Sequence, residues 1–146
     1  MNNNLRFYID GSWVEPHSRA TLAVINPATE AAFATIAMGD AEDAARAIAA
    51  ARKAFPAFAR SERAERLALL RRILAIYNER AEDLAQVVCD EMGAPIQFSR
   101  DAQVAAGRAH LESTIAALEN FVFEEQRGTT RVIREGIGVV GLITPW

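Results

Sequence analysis

The residue types able to do chemistry are few in this chain, and their spacing completes no catalytic constellation. The two histidines, His17 and His110, lie far apart in sequence. Neither has a cysteine or acidic residue at the short spacing a zinc site uses. Cys89 follows Val87 and Val88 on an apolar helical stripe, where a cysteine serves as a small core hydrophobe. Nothing beside it would lower its pKa and make it a nucleophile. Gly136, Gly138 and Gly141 resemble a dinucleotide fingerprint only superficially, because the spacing differs and no helix follows. They fit a tight turn and close backbone approach inside a sheet. The run Val139–Ile143 is apolar and largely β-branched, which predicts a strand buried on both faces, as in a parallel sheet. Pro145 ends it, and Thr144, Pro145 and Trp146 then occupy its carboxyl end, where open α/β sheets bind ligands. Glu91 falls in the last turn of a helix, against the dipole, so an arginine partner or a bound cation is expected beside it.

These residues need elements to position them. Phe7–Ile9 and Ser12–Val14 flank Asp10-Gly11, a strong two-residue hairpin signal. A second hairpin is expected with arms Leu22–Ile25 and Ala32–Ile36 around Asn26-Pro27-Ala28-Thr29-Glu30. Asp40 caps a first helix whose alanine-rich face (Ala44, Ile48, Ala51, Phe55) should pack closely, with Pro56 closing it. Ser61 caps a long second helix carrying one stripe: Leu67, Leu70, Leu74, Tyr77, Ala81, Leu84 and Val88. Gly93 and Pro95 stop it. A third helix spans about Phe98 to Val122, with Arg108 snorkelling at the edge of its stripe. Residues 129–134 alternate as a half-exposed strand before the final buried one. A buried parallel strand requires a crossover to a neighbour. None follows, so the chain is expected to be the front part of a longer protein.

Composition excludes several function classes. A hydrophobic content of 51% with 24% charged residues is that of a folded globular chain. Sixteen basic against 19 acidic residues give a net charge of −3, which offers nucleic acid no attraction. The arginines between Arg60 and Arg80 are interleaved with Glu62, Glu65 and Glu79, a solvated helix face. A single cysteine rules out an intrachain disulfide framework and fits a reducing compartment. No run approaches the roughly 20 apolar residues of a membrane span, and no signal-peptide core follows the polar N-terminus. A cytoplasmic protein without a membrane or nucleic-acid partner is expected.

Taken in order, FYIDGSWV (7–14), INPATE (25–30), Gly39-Asp40 before an alanine-rich helix, EMGAP (91–95) and REGIGVVGLITPW (134–146) resemble the NAD(P)-dependent aldehyde dehydrogenases. The resemblance covers essentially the whole chain and is most specific in its last motif. It implies an α/β fold: the N-terminal part of a Rossmann-like cofactor domain (residues 1–123), the first part of an oligomerisation ribbon (124–135) and a return strand (136–146). It implies that Ile143, Thr144, Pro145 and Trp146 contact NAD or NADP through backbone and apolar surface. It further implies a monovalent cation between the backbone near Ile25 and the carboxylate of Glu91, as in some members. The family's nucleophilic cysteine and general-base glutamate would lie beyond residue 146, so Cys89 is not that nucleophile. The chain alone should then be inactive, while the full-length protein takes an aldehyde substrate and forms a homodimer or homotetramer. The alternative is a non-catalytic fragment acting only by association through its ribbon and exposed strand edge. Two positions depart from the family pattern. Gly136 replaces a proline at the ribbon-to-strand junction, and Ala94 stands where lysine is common.

Overall fold

The computed structural model describes residues 3–144. They form two compact units. The first gathers the stretch up to Ala23, Thr35–Arg60 and the stretch from Phe123 onward; the second gathers Val24–Ala34 and Ser61–Val122.

In the first unit, β1 (Phe7–Ile9) and β2 (Ser12–Val14) pair antiparallel with Tyr8 opposite Trp13. Asp10 and Gly11 turn the chain at φ of 50° and 80°, the positive values a type I′ turn demands. Their register places the Tyr8 and Trp13 rings edge to face, centroids 5.3 Å apart. The base of the next hairpin, β3 (Thr21–Asn26) and β4 (Ala31–Ala37), belongs to this unit, and its tip belongs to the second.

Helix α1 (Ala41–Ala59) begins with a complete capping box: Asp40 accepts from the Glu42 and Asp43 amides, and Asp43 reaches back to the Asp40 amide. Two expectations for α1 fail. The helix runs through Pro56 to Ala59, because a proline so near the end sacrifices one ladder bond while the Arg60 amide still reaches Ala57 and Phe58. The face expected to pack also fails over most of its length: Ile48 is 47% exposed and Ala44 and Ala51 are exposed, while Phe55 is half-buried and the other covered positions are Asp43, Arg46 and Ala50. Alanine content raised helix propensity without marking the buried side.

After the helices, β5 (Glu124–Arg127) and β6 (Thr130–Ile133) form a hairpin across Gly128 at φ 60°. Charge laces both of its faces: Arg131 pairs with Glu124 at 2.5 Å on one, and Arg134 with Glu125 at 3.2 Å on the other, half-buried one. Only the β6 half was legible as a strand, since Glu124-Glu125-Gln126-Arg127 shows no apolar alternation.

Apart from the hairpin tip, the second unit is helical. The expected long second helix is two: α2 (Arg63–Glu79) and α3 (Ala81–Met92), separated where Arg80 leaves the helical region at φ −102°, ψ 13°. Periodicity could not see this break, because the stripe continues in phase across it. Glu82 and Asp83 supply the acidic first turn of a new helix. The N-cap is Glu62 and not Ser61: the Glu62 amide donates to Glu65, while the Ser61 hydroxyl accepts from Arg66 Nε at 2.8 Å. Leu67, Leu70, Leu74 and Tyr77 are half-buried, as the stripe requires, and α2 packs along the last helix. That last helix is also composite: α4 (Ile96–Phe98), a π-helical stretch Ser99–Val104, and α5 (Ala105–Asn120). Val104 and Ile115 are its buried core positions, and Arg108 is exposed, as a snorkelling side chain should be.

Candidate cofactor and cation sites

The segment after β6 should carry the cofactor-facing strand end. Among the described residues it forms no strand. Ile137 is 92% exposed, Leu142 88% and Ile143 99%, and Thr144 is exposed as well. The buried strand expected over Val139–Ile143 is therefore not formed. Its β-branched residues carry the propensity, but a parallel strand exists only when a neighbour completes its ladder. No described strand pairs with it. One contact anchors the start of the segment. Gly136 lies against Phe55 of α1, whose ring would come within 3.3 Å of a Cβ placed there. Pro145 and Trp146 fall outside the described residues.

The cation candidates sit in the second unit, next to a hairpin turn and a helix cap that touch. Ile25 is near the end of β3 and 47% exposed; Glu91 is exposed in the last turn of α3. Between them the hairpin tip meets the helix cap. Asn26 folds the tip by accepting from the Ala28 and Thr29 amides at 2.9 and 3.3 Å. Pro27 and Ala28 then lie against Gly93, which ends α3 in the left-handed region at φ 68°. A Cβ on Gly93 would stand 2.7 Å from Pro27 Cγ and 3.3 Å from the Ala28 amide nitrogen. No arginine lies within ion-pair distance of Glu91 among the described residues. Nor does any group of three His, Cys, Asp or Glu gather there as a metal cluster.

Cys89 is half-buried on α3 with a free thiol. His110 is exposed on α5. His17 joins a network that the sequence did not announce. Its backbone amide donates to both oxygens of Asp43, at 3.0 and 3.2 Å, and its Nδ1 lies 2.7 Å from Asp40. Arg46 bridges Asp43 at 3.2 Å and the Glu15 carbonyl at 3.3 Å. Asp43, a carboxylate only 4% exposed, thereby satisfies both oxygens. The His17–Asp40 hydrogen bond raises the imidazole pKa and lowers that of the carboxyl.

A family model described as "Aldehyde dehydrogenase family" matches residues 13–146. The chain belongs to the aldehyde dehydrogenase family. It is 41% identical over 147 residues to a 3-succinoylsemialdehyde-pyridine dehydrogenase of a Pseudomonas species, covering all of this chain and 31% of that protein. Aldehyde dehydrogenase C of Pseudomonas syringae, solved with NAD+ and octanal, superposes with a TM-score of 0.88 at 39% identity, over 90% of this chain and 27% of that one. The aldehyde dehydrogenase of Bartonella henselae gives 0.82 at 42% identity, over 86% and 26%. The chain thus spans about a third or less of the aldehyde dehydrogenases it matches, and it corresponds to their N-terminal part. No described helix is long and apolar enough to cross a membrane.

Proposed function

We propose that this chain is the N-terminal segment of an enzyme that oxidises an aldehyde to a carboxylic acid with NAD(P)+. The observation that carries the reading is its likeness, at 39% identity and a TM-score of 0.88, to an aldehyde dehydrogenase that holds NAD+ and octanal. In this reading the chemistry is cysteine attack on the aldehyde, loss of hydride and hydrolysis of the thioester. The nicotinamide cofactor, when bound, accepts the hydride. The cysteine and the general base belong to the region beyond residue 146, and residues 1–146 alone are inactive. Residues 1–123 belong to the cofactor-binding domain, 124–135 begin the oligomerisation ribbon of a homodimer or homotetramer, and 136–146 return to the cofactor domain. Ile143, Thr144, Pro145 and Trp146 contact the cofactor; Ile25 and Glu91 hold a monovalent cation. The location is cytoplasmic.

Two measurements test this. The whole protein should reduce NAD+ or NADP+ with at least one member of a panel of aliphatic and aromatic aldehydes, and failure with every pair overturns the activity. In the whole protein, Trp146→Phe should remove part of the fluorescence response to saturating cofactor; an unchanged response overturns the cofactor assignment. Turnover by residues 1–146 alone would contradict the assignment of the nucleophile to a later region.

One observation favours a second reading, association without catalysis: the uncovered Ile137, Leu142 and Ile143 next to a two-stranded ribbon. Sedimentation of the 146-residue chain as a clean monomer would remove it.

A further inference from the structure

We draw no further inference here: the strongest candidate, the apolar groove at the break between α2 and α3 lined by Ile73, Ile76, Tyr77, Arg80 and Leu84, carries nothing because nothing in the structure shows what covers it.

Discussion

The two units hold themselves together by different physics. In the helical unit, elements meet where a glycine lets a side chain approach a backbone. The Tyr77 hydroxyl donates to the Val104 carbonyl at 2.9 Å, just where the π-helical stretch passes into α5. It lies so close to Gly107 that a Cβ there would stand 2.2 Å from the hydroxyl oxygen. Gly93 plays the same part for the hairpin tip. In the first unit the fixed point is polar: a buried carboxylate, Asp43, ties the loop at His17 to the start of α1 and to Arg46. Steric contacts fail when an atom is added, and polar ones when an atom is removed. The comparison therefore predicts opposite sensitivities for the two units.

The largest effect is expected at Gly93. Gly93→Ala forces a side chain into the left-handed region, at a cost of about 1–2 kcal/mol, and drives a methyl into Pro27. Overpacking adds about 1–3 kcal/mol. Denaturant unfolding of the chain should show the loss, and hydrogen exchange should place it in the hairpin tip and the end of α3. An unchanged midpoint would mean that the tip does not rest on the cap. A smaller loss, about 2 kcal/mol, is expected for Gly107→Ala, again by overpacking. Here the comparison can be sharpened by a second substitution. Tyr77→Phe removes the hydroxyl that the new methyl meets first, so the double variant should recover part of the loss. Strict additivity in that cycle would show that the two sites are not in contact.

For the first unit, Asp43→Ala leaves the His17 and Asp40 amides and the Arg46 guanidinium short of an acceptor, at a cost of about 1–3 kcal/mol. Asp43→Asn keeps one acceptor oxygen and should fall between. Equal losses from the two substitutions would indicate that the oxygen and shape Asn retains contribute nothing, and that the charge and the second acceptor carry the whole effect.

The contrast also explains what the sequence could and could not reveal. Hairpins whose turns demand special backbone angles were legible, because Asp10-Gly11 and the Asn26 turn state their geometry in residue type. The Gly93 cap was legible for the same reason. Gly107 was silent: its need arises from Tyr77, 30 positions away, and no local pattern encodes that approach. Asp43 is an acid in the first turn of a helix, where the dipole alone accounts for its type, and its burial comes from a loop 26 residues earlier. The break at Arg80 and the π-helical stretch are tertiary accommodations within an unbroken apolar period. Val139–Ile143 failed in another way. Its propensity describes a strand fit for a sheet, and no described strand completes one, which accords with a chain spanning 26–31% of its relatives. Of the site residues, Ile25 and Glu91 lie two residues from Pro27 and Gly93, which do touch, whereas Ile143 and Thr144 are exposed.

The smallest effect, and the one that separates the exposed rim of the polar network from its buried centre, is the pH response of His17 and Asp40. Asp40 raises the imidazole pKa above 6.5, chiefly through the hydrogen bond between them. A raised histidine contributes stability that is complete below its unfolded pKa and is lost as pH climbs through the folded one. The partner carboxyl is lowered below 3.8, chiefly by the same bond, so its contribution is complete above the unfolded pKa and is lost as pH falls through the folded one. Both contributions are complete only between about 4 and 6.5, the ordinary carboxyl and imidazole values. The side chains are 63% and 37% exposed, so solvent screens the pair and the effect is small. His17→Gln should flatten a shallow maximum in Tm across that window while leaving the Asp43 contacts intact, since those use the backbone amide of residue 17. If His17→Gln instead costs as much as Asp43→Ala at every pH, the ring is part of the buried centre, and the division between a polar core and a titrating rim is wrong.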